Sequence, residues 1–355
     1  MLNMKRCSIT VKNSLYFFGA LAALAMLFIM HFTVKQRASE ALSLCFGTLI
    51  PSLFPALAIT SFLSRTGIPA PISKIMFFPM RLLTGAPDAA APCFLLGQIA
   101  GYPAGVKAAS ALYRQGILPR KQAQSAALLN VNPGLPFSIL VVGKALAANT
   151  RTGVSLYFSA VLANLLLSVF FRKASTAEKQ VKNFNATPQD FSDLLVRAVE
   201  DACKGTLNIC AWIVAFAVFT APVSRIPILT PLSVLFETTN AAAMCTADRN
   251  YPLCAFSMSF GGLCLMFQLL PDLKEMGVSP YKYLLCRSFC GVSAFLFQAM
   301  LERIVPSITP AANMPRYVFR VTCGSYLSSA ALLMMCVVFM LSVISEKPAN
   351  GKKMT

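Results

Sequence analysis

Two charged residues stand out because their neighbours are apolar. Lys107 closes the stretch Gly97-Gln98-Ile99-Ala100-Gly101-Tyr102-Pro103-Ala104-Gly105-Val106-Lys107, which lies inside a long apolar segment. An ammonium in such a segment faces a cavity or a partner rather than lipid. Free amides at a nearby helix break would add positive potential beside it, a combination suited to a carboxylate or a phosphate. The plainer alternative is a side chain that snorkels to the interface, since Arg114 follows within two turns. Glu237 is its counterpart in the second half of the chain, in Leu235-Phe236-Glu237-Thr238-Thr239-Asn240. It is placed to pair with Lys107, to bind a coupling proton or cation, or to accept hydrogen bonds from a substrate. Thr238, Thr239 and Asn240 add donors and acceptors around it, and a purely structural polar cluster is the competing reading.

Neutral polar residues extend the set. Asn130 and Asn132 either hold a substrate or cap broken helix ends. Gln98 and Gln268 each offer a donor and an acceptor, which suits a planar heterocycle. Catalysis finds no support: no metal-ligand cluster, phosphate-binding loop or nucleophile motif is present, so neither an enzyme nor a cofactor or metal is expected. The 12 cysteines include no Cys-x-x-Cys pair and fall mostly in apolar segments, as small packing residues do. The single histidine, His31, reads as interfacial.

The elements that must position these groups are membrane helices. Of 355 residues, 56% are hydrophobic and 12% charged, about half the charged share of a soluble domain, roughly 25%. Mean hydropathy is +0.65. Several stretches of about 20 residues lack charge, the length that crosses the hydrocarbon core. An all-α polytopic transmembrane bundle of about 8–10 membrane segments is therefore expected. The net charge of +18 fits a positive-inside bias and anionic headgroups, or a basic vestibule for an anionic substrate. No basic run interleaved with aromatics points to nucleic acid. The lipid bilayer and a small anion are the expected partners, and oligomeric state is left open.

Organisation along the chain follows from composition. Residues 1–40 read as an uncleaved N-terminal transmembrane helix with a cytoplasmic start. A first half spans 41–171, a basic linker 172–193, a second half 194–345, and a polar tail 346–355. Prolines and glycines mark where helices should break or kink: Pro51, Pro55, Gly101, Pro103, Gly105, Pro133, Gly134, Gly261 and Gly262. The run Asn130-Val131-Asn132-Pro133-Gly134-Leu135-Pro136 is incompatible with a regular lipid-facing helix, so its polar backbone needs protein or ligand partners. Gly97, Gly101 and Gly105 would also form one smooth face for close helix packing.

An internal repeat is visible at an offset of 161 residues, which aligns Gly101 with Gly262, Lys107 with Gln268, Leu112 with Leu273, and Gly116-Ile-Leu-Pro119 with Gly277-Val-Ser-Pro280. Related halves with broken helices are the pattern of a transporter whose site lies near the membrane midplane. Five crossings per half would make the halves inverted, whereas basic N-terminus, linker and C-terminus all favour the cytoplasm. A re-entrant segment in each half would reconcile the two, and both arrangements stay open.

These motifs resemble a family. Leu49-Ile-Pro-Ser-Leu-Phe-Pro55, the Gly-Tyr-Pro-x-Gly-x-Lys stretch at 101–107, the asparagine-proline-glycine break, Phe236-Glu-Thr-Thr-Asn240 and Phe260-Gly-Gly262 are similar to the YlbJ-type (SpoVV) sporulation integral membrane proteins. That family belongs to the wider nucleoside-recognition, or Gate-domain, group, and the likeness spans about Ala41 to Arg303. The break at 130–136 and the Ala241 that follows Asn240 depart from the family's pattern. The resemblance implies transport of dipicolinate across the outer forespore membrane during spore formation, and so a bacterial membrane location. Lys107 and helix-end amides would take a carboxylate, with Gln, Asn and Tyr102 around the ring. The wider group implies a nucleoside or nucleobase carrier as the alternative, and a non-transporting scaffold for spore assembly is a third reading.

Overall fold

The computed structural model describes residues 2–66, 90–175, 191–221 and 233–305. All of them fall in one compact unit, Met1–Tyr317, and Val318–Thr355 lies outside the described residues. Every regular element described is a helix. Five are long and apolar enough to cross a membrane: His31–Ile59, Thr150–Val169, Phe191–Phe219, Tyr251–Glu275 and Pro280–Ile304. The protein is an all-α polytopic membrane bundle.

In chain order the helices are α1 (Leu2–Ile29), α2 (His31–Leu44), α3 (Ile50–Thr66), α4 (Ala91–Ile99), α5 (Ala104–Arg114), α6 (Arg120–Leu129), α7 (Thr150–Ser175), α8 (Phe191–Phe219), α9 (Ser233–Phe236), α10 (Thr238–Ala247), α11 (Tyr251–Phe260), α12 (Gly262–Glu275) and α13 (Pro280–Ile304). Wider π-helical turns occupy Cys45–Leu49 and Phe137–Leu146. The expected loop between Ser64 and Asp88, most of the basic linker, the C-terminal apolar segment and the tail lie largely or wholly outside the described residues. Where the linker's ends are described they are helical, α7 continuing to Ser175 and α8 starting at Phe191. Residue 40, expected as a segment boundary, lies inside α2.

The side-chain pattern of α13 explains why it spans. Leu285, Val292, Leu296 and Met300 face outward, a lipid-compatible stripe. The opposite face, Tyr283, Arg287, Cys290, Ala294 and Gln298, is buried at steps of three and four residues. The polar groups therefore point inward, as a bilayer requires. This face packs on α7 and α11. A Cβ on Gly291 would touch the Phe256 ring at 3.0 Å, so the glycine sets the approach of α11 to α13.

Pro51 and Pro55 do not break their helix. The chain runs helically from α2 through the π-turn into α3, with Pro55 inside α3. Widening the turn just ahead of Pro51 relieves the clash between its ring and the preceding carbonyls. The Ser52 hydroxyl donates to the Thr48 carbonyl and, at 3.3 Å, to that of Leu49. This continuous rod packs against α8 in the opposite direction: Ser61 Oγ donates to Asp201 Oδ2 at 2.9 Å, and Leu57 meets Gly205.

The offset of 161 recurs in backbone geometry. Gly101 and Gly262 have φ of +78° and +71°, and Gly116 and Gly277 have +69° and +75°. The turns after α5 and α12 close alike. Gly116 N donates to Tyr113 O as Gly277 N does to Lys274 O, and Ile117 N donates to Leu112 O as Val278 N does to Leu273 O. The two turns also touch. Arg114 pairs with Glu275 at 3.1 Å, and Arg120 Nε and Gln124 Nε2 donate to Met276 O at 3.1 and 2.9 Å. Their charged residues are exposed. From these turns α5, α6 and α12 run inward for 11, 10 and 14 residues before the chain breaks. That is about 15–20 Å at 1.5 Å per residue, near half the hydrocarbon thickness or somewhat beyond it.

Candidate functional site

Four interruptions meet in the interior, in two crossings. In the first, the Ala100–Pro103 break between α4 and α5 crosses the Asn130–Pro136 break after α6. Tyr102 N donates to Asn132 O at 2.8 Å. A Cβ on Gly134 would lie 2.6 Å from Ala100 O, and one on Gly101 would collide with the Gly134 backbone. Only two facing glycines let the chains pass this closely. Gly97 and Gly105 serve the same packing: a Cβ on either would meet the Asn130 side chain at 2.7–2.8 Å. The glycine face is thus the bed for Asn130, and the proline break and the small-residue stripe form one construction.

In the second crossing, Glu237 between α9 and α10 lies against Gly261-Gly262 between α11 and α12. A Cβ on Gly262 would come 2.9 Å from Phe236 O. Glu237 caps α10: Oε1 accepts from Thr239 N at 2.7 Å and Oε2 from Asn240 N at 2.6 Å. Buried though it is, the carboxylate is satisfied by the positive end of a helix.

Between the crossings lies a cavity of about 60 Å³. Ala100, Tyr102, Gly134 and Phe137 line it from the first crossing, and Glu237, Thr238, Thr239, Gly261, Cys264, Leu265 and Gln268 from the second. Leu49, Leu53 and Leu57 of the α2–α3 rod, with Ile209 and Ile213 of α8, close it with apolar surface. Tyr102 Oη, Thr238 Oγ1 and Gln268 Nε2 are buried atoms of this lining that make no well-formed hydrogen bond, the Tyr102 and Thr238 hydroxyls facing each other. An unmade buried hydrogen bond costs about 1–3 kcal/mol, so polar groups gathered in one small cavity make it the candidate site.

Other residues expected at a site are distributed differently. Lys107 is half-buried on α5 and outside the lining, and among the described residues it forms no ion pair with Glu237. Asn240 contributes its backbone amide to Glu237, and its side chain is also outside the lining. Asn130 Nδ2 donates to Ala126 O at 2.7 Å, capping α6. Asn132 Nδ2 donates to Gln98 Oε1 at 3.0 Å, and Asn132 Oδ1 accepts from Asn164 Nδ2. Gln98 and Asn132 therefore meet, in a network behind the cavity rather than in its wall.

Two members of that network were not anticipated, Asn164 and Arg287. Arg287 is fully buried on α13. It donates to Val131 O at 2.6 Å, Leu128 O at 2.8 Å, Asn164 Oδ1 at 3.1 Å and, more loosely, Ser259 O at 3.5 Å. The signal was in the sequence: a lone arginine inside the apolar run 284–301 meets the criterion applied to Lys107. Among the described residues no group of three or more His, Cys, Asp or Glu side chains is placed to hold a metal ion.

Searches of protein-family models, curated proteins and solved structures find no match to this chain.

Proposed function

We propose that this protein is a carrier for a small organic anion, with dipicolinate as the substrate implied by the family resemblance. The observation that carries this reading is the set of buried polar groups, Tyr102 and Thr238 facing each other and Gln268 beside them, gathered in the lining of one cavity. Glu237 spends both oxygens on helix amides. The unsatisfied atoms belong to two hydroxyls and an amide NH₂, groups that can all donate, and a carboxylate is the complement of donors. Broken helices crossed at membrane depth are the architecture in which carriers build such sites. The cavity of about 60 Å³ has room for several waters. Lys107 acts in this reading through its field rather than by contact.

A nucleoside or nucleobase carrier is the second reading. It is favoured by one observation: the charged lysine is outside the lining, while the neutral Gln268, Thr238 and Tyr102 are in it.

Binding of dipicolinate and of uridine to the purified, detergent-solubilised protein tests both. Tyr102→Phe and Gln268→Ala should each weaken the true ligand by about tenfold, the worth of one buried hydrogen bond. Dipicolinate affinity that also falls in Lys107→Ala supports the anion carrier. Uridine affinity indifferent to the lysine supports the second reading. If neither compound binds a folded protein, both readings fail and the scaffold role gains.

A further inference from the structure

The two crossings that wall the cavity lie on different elements, and one side chain ties them together. Arg287 hydrogen-bonds the orphan carbonyls at the end of α6, Leu128 and Val131, and reaches Ser259 at the end of α11. Helix C-termini carry unpaired carbonyls and the negative end of the dipole, so two of them make a binding place for a cation. The arginine is held there without a carboxylate partner among the described residues. Its fixed, always charged fork suits several acceptors at once, which a lysine cannot match.

Each of these carbonyls leads within a few residues to a cavity wall. Val131 precedes Asn132, whose carbonyl holds the Tyr102 amide. Asn164 ties the same arginine to the Asn132 side chain. Ser259 precedes Gly261-Gly262, which rests on Phe236–Glu237. Tyr102 on one wall and Thr238 on the other are thus both referred to Arg287. The position 161 residues earlier is Ala126, so the tie exists once, in the second half.

We infer that Arg287 is a positioning residue for the cavity, setting the spacing between the Tyr102 wall and the Thr238–Gln268 wall. It lies outside the cavity lining. This rests on reading the cavity as a ligand site, yet it has a test that needs no ligand, because Cys264 is in the lining and nearly buried.

The experiment uses the full-length protein in detergent, with a small water-soluble methanethiosulfonate reagent as probe and the labelling rate of each cysteine read by peptide mass spectrometry. Cys203, exposed on α8, is the internal control. In Arg287→Lys the Cys264 rate should change by about tenfold while Cys203 is unaffected, as expected when well-placed hydrogen bonds are lost. Dipicolinate or uridine, whichever the wild type binds, should lose affinity by a similar factor in the folded fraction. Asn164→Ala removes one link only and should shift both readouts in the same direction by less. It remains the deciding variant if Arg287→Lys fails to fold. A folded Arg287→Lys, or failing that a folded Asn164→Ala, with unchanged Cys264 labelling overturns the proposal. So does a variant that loses thermal stability alone while labelling and affinity stay as in the wild type. If the wild type binds neither compound, the carrier reading fails while the labelling arm still decides the role of Arg287.

Discussion

Replacing Gly101 by alanine tests whether the crossed breaks are the structural centre of this fold. Gly101 has φ of +78°, a left-handed conformation that costs an L-residue about 1–2 kcal/mol. The new Cβ would also fall on the Gly134 backbone, 2.6 Å from its Cα, and 3.0 Å from Asn132 O. Backbone cannot swing aside as a side chain can, and such overpacking adds about 1–3 kcal/mol. The expected loss is therefore about 2–5 kcal/mol. Gly116 supplies the control. Its φ of +69° imposes the same conformational penalty, but a Cβ there meets nothing within 4 Å. Gly116→Ala should cost only about 1–2 kcal/mol. The difference isolates the crossing. Thermal unfolding in detergent with a thiol-reactive dye suits the measurement, since eight of the nine described free cysteines are buried and report as the fold opens. Gly134→Ala removes the same clearance from the other side, 2.6 Å from Ala100 O. The double variant should therefore cost less than the sum of the singles. If Gly101→Ala is no more damaging than Gly116→Ala, the two breaks are not packed as described and the account of the cavity falls with them.

Further outcomes rest on the same geometry. Glu237→Ala should destabilise by about 2–3 kcal/mol, because two amides at the start of α10 lose a charged cap in a buried setting; a melting temperature equal to that of the wild type would refute the capping role. Glu237→Gln keeps one acceptor and should fall between the two in the same assay. Arg114→Ala removes the pair to Glu275 at a side chain 54% exposed, so it should cost less than about 1 kcal/mol. A larger loss, measured by the same melting curve, would mean that the touching turns carry more of the stability than exposed ion pairs do.

Much of the cavity wall was legible because its causes are local. Pro103, Pro133 and Gly261-Gly262 announce helix breaks through a missing N–H or a φ that only glycine adopts freely. Gln268 and Glu237 were singled out because polar groups in apolar segments are rare. At Pro51 and Pro55 the same local rule leaves open whether the helix ends or continues, and it continues. A π-turn absorbs the first and the second is carried within α3, an accommodation that depends on where the Ser52 hydroxyl and the neighbouring carbonyls sit. Asn130 and Asn132 looked alike, yet one caps α6 and the other joins Gln98 and Asn164.

By itself the amino-acid sequence determines that this is a helical membrane protein with interruptions at fixed places, because burial in lipid acts on each segment separately: length, apolar content and backbone donors are properties of the segment alone. Tertiary structure alone decides which interruptions face one another and which charge matters where. Arg287 is one residue in a 25-residue helix until α6 and α11 bring their carbonyls to it. Lys107, more conspicuous in the sequence, is outside the wall because the lining takes Ala100 and Tyr102 from the break ahead of α5 and no residue of α5 itself. Contacts between segments far apart in the chain depend on crossing geometry, and that geometry is a property of the whole bundle rather than of any stretch within it.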